Sequence, residues 1–167
     1  TEVGIGQAEK LGKELKKKKI DIIVSSPYFR PRQTAKIISK ATGAKVLFDK
    51  GLVELNTGTF NGRQVSEYNK FFKNDVERFS KTPPGGENLA DVKRRMLDVL
   101  EKINAKYADK NILIVGHGDP LWILDGTARG LKNEDIVRVP YVEKGTYREI
   151  HFYNWPFNKD AELDIHR

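Results

Sequence analysis

The stretch IDIIVSSPYFRPRQTA, residues 20–35, is the part of the sequence from which the fold can be inferred. Residues 20–24 form a short run rich in β-branched side chains, which is typical of a buried strand. The Ser-Ser-Pro sequence at 25–27 ends that strand, and residues 32–42 then carry apolar side chains at helical spacing as far as Gly43. A strand followed directly by a helix is the building unit of an α/β protein.

Strands and helices alternate on both sides of this stretch as well. The apolar patterns predict helices at 2–18, 64–80 and 89–107 and another from Pro120 to about 129, and strands at 45–48, 111–115 and 146–153, the last at a sheet edge. Asn88 is expected to cap the helix at 89–107. Continuous apolar strands between helices predict an α/β three-layer sandwich with a mainly parallel central sheet.

The composition is that of one folded domain without thiol chemistry. The 167 residues are 38% hydrophobic and 32% charged, and they include no cysteine, so disulfides and thiolate metal sites are excluded. We expect a cytoplasmic protein that does not cross a membrane, because no apolar run approaches the roughly 20 residues needed and no signal peptide is recognised at 1–19. The net charge of +7 favours a lysine-rich solvated surface, and nucleic-acid binding is the less favoured alternative.

Two polar segments, 25–32 and 116–120, follow predicted buried strands. Ligands of parallel sheets bind at the carboxyl ends of the strands, so we expect these segments to form a site. Arg30 lies at a helix start and offers a planar guanidinium to phosphate oxygens, although a capped helix with two surface arginines is the alternative. Arg32, in the first helical turn, is expected at the surface. His117, between two glycines, is expected to be exposed at the strand's carboxyl end, where it is suited to binding an anion or moving a proton, unless it is a loop histidine bonded to backbone.

A third segment, 52–62, places Glu54 beside apolar residues in a glycine-rich loop. Partial burial would favour the protonated carboxyl and let it donate a proton to a substrate. An ordinary solvated loop glutamate is the alternative.

Together these segments resemble the histidine phosphatase superfamily, whose members have a phosphoglycerate-mutase-like fold. The resemblance is carried by motifs in chain order: TEVGIGQA at 1–8, SSP…R…RQTA at 25–35, the loop at 52–62, PGGEN at 84–88 with Asp91 and Arg95, and the strand ending in Gly-His-Gly at 112–118. It predicts a domain over 1–153, with a cap region at about 63–87, and a tail or junction at 154–167.

The resemblance implies a phosphomonoester hydrolase that works through a phosphohistidine, without a metal or another cofactor. At the matching positions Arg30 would bind and neutralise the phosphoryl oxygens, and His117 would contact the same group. Glu54 would protonate the leaving oxygen. The expected partner is a phosphorylated small molecule or phosphate. Mutase activity is less favoured, because residues 55–58 differ from the Arg-His-Tyr-Gly sequence that mutases of this family have after the glutamate.

The family's nucleophilic histidine lies in an Arg-His-Gly motif on a strand that precedes the first helix. It is therefore expected outside this sequence, since His151 and His166 match no family motif, and the chain alone is expected to be inactive. The sequence ELDIHR at 162–167 resembles a segment of isoleucyl-tRNA synthetases. The alternative function is thus a catalytically inactive phosphate-binding domain inserted in such a ligase, with ATP-dependent tRNA aminoacylation by the larger protein.

Overall fold

The computed structural model describes residues 1–151. In chain order the elements are α1 (Glu2–Leu15), β1 (Ile22–Ser25), α2 (Phe29–Thr42), β2 (Lys45–Phe48), α3 (Val65–Lys70), α4 (Leu89–Lys106), β3 (Ile112–Val115), α5 (Gly118–Ala128) and α6 (Asn133–Ile136). Short 3-10 helices lie at Lys16–Lys18, Lys50–Leu52, Gly58–Phe60 and Val76–Phe79. None of the helices in residues 1–151 is long and apolar enough to cross a bilayer.

The chain folds into two compact units. The first consists of Thr1–Val53, Asp98–Gly118 and Val142–Glu149, and it holds the sheet with α1 and α2. The second includes Glu54–Leu97 and Asp119–Tyr141, and it holds α3, α6 and nearly all of α5.

The sheet of the first unit has the parallel order β2-β1-β3, which confirms the predicted α/β class. Ile23 pairs with Val46 on one side and with Leu113 on the other. β1 is therefore central, and its residues are all buried. β3 pairs with β1 along one edge, and no strand within residues 1–151 pairs with its other edge. Because that edge is open, β3 is only half-buried, although the sequence predicted a buried strand.

The two helices α1 and α2 cover one face of this sheet. The core there is formed by Leu11, Leu15, Ile23, Ala35, Ile38 and Ala44. α1 and α2 approach closely at Gly12, where an added Cβ would lie 2.9 Å from the Cβ of Ala41. Ile22 and Val24 are also buried, and strand alternation directs them to the opposite face. Both faces of β1 are thus covered, as a layered α/β arrangement requires.

The edge strand predicted at 146–153 is wrong for its described part, since residues 146–151 contain no strand. The backbone forms a local turn instead: the N–H of Thr146 donates to the carbonyl oxygen of Glu143 at 3.2 Å. Gly145 has φ +78° in this turn and lies against the side chain of Gln7. A strand needs a ladder partner, and within the described residues none is present for this segment. Residues 152–153 lie outside the described part, as does the tail at 154–167.

The single helix predicted at 64–80 is also wrong. It is divided into α3 and the 3-10 helix Val76–Phe79, because polar side chains between them bond to the backbone and compete with helical hydrogen bonds. The N–H of Lys73 donates to Glu77 Oε2 at 2.6 Å, and the N–H of Glu77 donates to Asn74 Oδ1 at 3.0 Å. The four-residue helix α6 was missed, since it is too short to show a periodic pattern.

The predicted cap of α4 is confirmed. Asn88 Oδ1 accepts from the N–H of Asp91 at 2.9 Å, and Asp91 Oδ2 accepts from the N–H of Asn88 at 3.1 Å. This reciprocal pair is a capping box, which satisfies two otherwise unbonded donors at the helix start.

Candidate active site

Ser26 and His117 meet where the two neighbouring strands β1 and β3 end. The N–H of Ser26 donates to the carbonyl oxygen of Val115 at 2.9 Å and so extends the ladder by one step. Beyond that bond, Ser26 Oγ and His117 Nε2 are hydrogen-bonded at 2.9 Å. Ser26 is fully buried and His117 is 8% exposed, so this bond is shielded from competing water. His117 therefore lies at the strand's carboxyl end, as predicted, but its side chain is buried there, whereas the sequence predicted an exposed histidine.

The Ser26 hydroxyl can hold His117 in either of its protonation states. Its oxygen accepts a hydrogen bond from the N–H of Tyr28 at 3.3 Å, which leaves the hydroxyl proton free to donate to a neutral Nε2. When the imidazole is protonated, Nε2–H donates to the same oxygen, because a hydroxyl has two lone pairs. The imidazole orientation is thus maintained when its charge changes.

Tyr28 is the third member of this group. Its ring lies 5.5 Å from that of His117 at an interplanar angle of 75°, a T-shaped contact that aromatic pairs favour. Tyr28 is the residue before α2 and is half exposed, so its ring borders the histidine and also faces solvent.

Arg30 and Arg32 both lie in the first turn of α2 and are exposed, as predicted for Arg32. Within residues 1–151 the structure records no ion pair or hydrogen bond for the guanidinium of Arg30. An exposed guanidinium beside the N–H groups of a helix start is suited to an anion. Arg30 follows Ser26 by four residues and is the second residue of α2, so the end of β1 and the start of α2 together determine its placement.

Glu54 belongs to the second unit, where it is half-buried in the loop that leads to the 3-10 helix Gly58–Phe60. Its Oε1 accepts from the N–H of Leu55 at 3.0 Å. Its carbonyl oxygen accepts from Nη2 of Arg95 at 3.3 Å. The backbone that carries this carboxylate is therefore attached to α4.

The loop of Glu54 and the PGGEN segment form one supported structure. Glu87 accepts from Nε and Nη2 of Arg95 at 3.0 and 2.8 Å, a bidentate pair, and also from the N–H of Asn56 at 2.9 Å. Gly58 has φ +59°, and an added Cβ would lie 2.2 Å from the carbonyl oxygen of Pro84. Two of the motifs recognised in the sequence are thus brought into direct contact within this unit.

Ser26 and Tyr28 stand in the polar segment 25–32, which the sequence predicted to form part of a site. Sequence reasoning assigned no role to either side chain. The aromatic residues Tyr68 and Phe72 are buried and pack edge to face, so they are core residues of the second unit. His151 is exposed and in no strand, and His166 lies outside the described residues. No cluster of three or more His, Asp or Glu side chains in residues 1–151 could hold a metal ion.

The sequence is similar to proteins of one superfamily. The model of the histidine phosphatase superfamily (branch 1) matches residues 1–160. Phosphoserine phosphatase 1 of Hydrogenobacter thermophilus is 30% identical over 126 residues, a match that covers 72% of this chain and only 60% of that protein. The "Probable phosphoglycerate mutase GpmB" of Yersinia pestis is 32% identical over 160 residues, covering 86% of this chain and 74% of that protein.

Solved structures show the same fold. Bacillus stearothermophilus YhfR has a TM-score of 0.75 at 25% identity, covering 87% of this chain and 74% of its own. A mycobacterial glucosyl-3-phosphoglycerate phosphatase in complex with inorganic phosphate has a TM-score of 0.74 at 24% identity, covering 84% of this chain and 74% of its own. At this level of identity the second comparison supports the fold alone.

Proposed function

The chain belongs to the histidine phosphatase superfamily, and from this premise we propose that it is the phosphate-binding part of a phosphomonoester hydrolase that works through a phosphohistidine. The observation that carries the proposal is the hydrogen bond between Ser26 and His117 at the ends of two parallel strands, followed by Arg30 in the first turn of α2. Together they offer an oriented imidazole and a guanidinium to one phosphoryl group. Arg30 neutralises the phosphoryl oxygens, and His117 donates a hydrogen bond to the charge that develops on them.

The nucleophilic histidine is proposed to lie on a further strand of the full-length protein, paired with the open edge of β3. Such a strand would end beside His117, because parallel strands end at the same edge of a sheet. It would also use the N–H and C=O groups that β3 does not share with β1. This pairing supplies a histidine at the position that the mechanism requires.

The proposed reaction has two steps. A nitrogen of the nucleophilic histidine attacks phosphorus, the bond from phosphorus to the ester oxygen breaks, and Glu54 gives its proton to the leaving oxygen. In the second step Glu54 takes a proton from water, the water oxygen attacks phosphorus, and the bond from phosphorus to nitrogen breaks. Inorganic phosphate is released, and both groups return to their starting states.

Hydrolysis is favoured over mutase chemistry by the residues after Glu54. A mutase must return the phosphoryl group to a hydroxyl of its bound substrate, whereas a phosphatase transfers it to water. Residues 55–58, Leu-Asn-Thr-Gly, offer no cationic side chain to hold a second anionic group. The full-length protein is therefore expected to release phosphate from a monoester, with no transfer between positions of a phosphoglycerate.

The first experiment measures turnover of p-nitrophenyl phosphate by the full-length protein. His117→Ala and Arg30→Ala are each expected to lower kcat/KM by about 10²-fold or more, because each removes a group that stabilises transition-state charge. Arg32→Ala is the matched control: it removes an exposed guanidinium from the same helical turn, and turnover should stay near that of the wild type. Near-normal turnover in both of the first two variants would overturn the assigned roles.

The role of Glu54 is tested by its dependence on the leaving group. Glu54→Gln cannot donate a proton, so hydrolysis of an alkyl phosphate, whose leaving oxygen is strongly basic, should fall by about 10²-fold. Hydrolysis of p-nitrophenyl phosphate should fall much less in its first step, since nitrophenolate leaves without a proton. An equal loss for both substrates in single-turnover experiments would contradict the proposal.

Phosphate binding without turnover would support the alternative function, a catalytically inactive phosphate-binding domain. If the full-length protein binds phosphate but neither hydrolyses monoesters nor forms an acid-labile phosphohistidine, the inactive phosphate-binding domain is the correct function. The synthetase resemblance on which that alternative depends lies at 162–167, outside the described residues.

A further inference from the structure

Two consecutive aromatic side chains, Tyr28 and Phe29, are exposed at the start of α2. Their exposed fractions are 53% and 70%, whereas Tyr68, Phe72 and Phe79 are buried. Large exposed aromatic groups that cluster at a site are typical of ligand or protein contacts. The two differ in one respect, because the structure records a ring contact of Tyr28 with His117.

The position of Tyr28 is fixed by the same hydroxyl that holds the histidine. Its N–H donates to Ser26 Oγ at 3.3 Å, and that oxygen is 2.9 Å from His117 Nε2. Its backbone is extended, with φ −65° and ψ 153°, and its side chain makes no capping bond to α2. The phenol ring is thus held beside the imidazole by backbone contacts and ring packing, and it is not needed to start the helix.

A ring in this position meets the organic group of a phosphomonoester. When the phosphoryl group is bound at His117, the ester oxygen and the first carbons of the substrate follow phosphorus directly. The half of the Tyr28 ring that faces solvent then offers an exposed apolar surface beside the imidazole. An aromatic group on the ester oxygen can pack against it edge to face, and a small hydrophilic group gains little from the same contact.

We propose that Tyr28 is a specificity-determining residue, which makes this site favour phosphomonoesters with an aromatic group on the ester oxygen over those of small hydrophilic alcohols. The proposal rests on the proposed function, since it assumes that phosphate binds at His117. The contact is that of one aromatic pair, so the expected preference is about threefold to tenfold.

The test measures dissociation constants by calorimetry for the full chain with two ligands, inorganic phosphate and phenyl phosphate. Tyr28→Ala should raise the dissociation constant of phenyl phosphate by about threefold to tenfold and change that of inorganic phosphate by less than about twofold. Tyr28→Phe keeps the ring and should bind both ligands like the wild type. Phe29→Ala is the matched control, because it removes the neighbouring exposed ring, for which no contact with His117 is recorded.

The outcomes separate this proposal from the one on which it rests. If Tyr28→Ala weakens the binding of both ligands equally, the residue only maintains the shape of the phosphate site, and the specificity role is wrong. If it changes neither, or if Phe29→Ala has the same effect, the role is also wrong. If the wild type binds neither ligand, the phosphate site itself is absent and both proposals fail together.

Discussion

Ser26 Oγ lies 2.9 Å from His117 Nε2, and this bond joins residues that are far apart in sequence. The parallel pairing of β1 with β3 brings them together, because Ser25 is in register with Val115. The bond is buried, so a substitution at Ser26 should mainly affect the orientation of the His117 imidazole.

Ser26→Ala is expected to leave His117 without its orienting hydroxyl. Phosphate affinity should fall by about tenfold, which corresponds to the loss of one hydrogen bond between buried partners. The direct measurement is the pair of ring-nitrogen NMR signals of His117. These signals report the tautomer, and they should change in the variant.

Ser25→Ala provides the control. Ser25 is also fully buried, and its hydroxyl donates to the carbonyl oxygen of Ser26 at 2.9 Å. Both variants should therefore lose similar stability, about 1 kcal/mol. Only Ser26→Ala should alter the histidine signals, and identical signals in both variants would mean that Ser26 does not position the ring.

The sheet and the position of His117 were predictable because their determinants are local. β2 was predicted with its observed bounds, and β1 and β3 were predicted to within two residues, since each is a short apolar run. The loop that follows a parallel strand always lies at the carboxyl edge, so the histidine's place follows from the strand alone. The hydrogen bond to Ser26 was not predictable, because it depends on the register between two strands.

The region at 64–80 could not be predicted because its backbone is directed by side chains. Tyr68, Phe71 and Phe72 have helical spacing, which favours a continuous helix. Lys81 Nζ donates to the carbonyl oxygen of Phe71, and Glu77 accepts from the N–H of Lys73. These contacts come from residues further along the chain, and they satisfy backbone groups that a longer helix would have used.

Gly58→Ala should destabilise the loop that carries Glu54. The alanine would have to adopt φ +59°, and its Cβ would lie 2.2 Å from the carbonyl oxygen of Pro84, so the backbone must move. We expect a loss of about 3 kcal/mol in the free energy of unfolding, measured by urea denaturation.

Gly62→Ala separates the cost of a left-handed backbone from the cost of the close contact with Pro84. Gly62 has φ +77°, but an added Cβ would meet nothing within 4 Å. The cost should then be that of the left-handed conformation alone, about 1 kcal/mol. Equal losses in the two variants would mean that the approach of Gly58 to Pro84 does not contribute.

The second unit contains a tyrosine whose ionisation should make folding sensitive to alkaline pH. Tyr141 Oη donates to Asp119 Oδ1 at 2.6 Å, and Nη2 of Arg78 donates to the same oxygen at 3.1 Å. The Tyr141 ring is stacked on Trp122, with centroids 4.9 Å apart. Burial, and then the hydrogen bond to Asp119, raise the pKa of Tyr141 well above its ordinary value. Burial also raises the pKa of Tyr68.

These shifts determine the sign of the pH dependence. A phenol whose pKa is higher in the folded state than in the unfolded state binds its proton more tightly when folded. Its contribution to stability is complete below the unfolded pKa of about 10, and it is lost as the pH rises towards the folded value. The free energy of unfolding should therefore decrease above about pH 10. Tyr141 remains 46% exposed, so solvent reduces its share of this decrease.

The variant Tyr141→Phe measures how much Tyr141 contributes to the decrease in stability at alkaline pH. The variant should be less stable near neutral pH by about 1 kcal/mol, because the hydrogen bond to Asp119 is lost. Its stability should also decrease less steeply between about pH 9 and pH 11, since one titrating group is removed. Tyr28→Phe is the matched control, because it removes a phenol of similar exposure whose hydroxyl makes no recorded hydrogen bond within residues 1–151. An alkaline slope in Tyr141→Phe as steep as in the wild type would show that Tyr68 or another group causes the decrease.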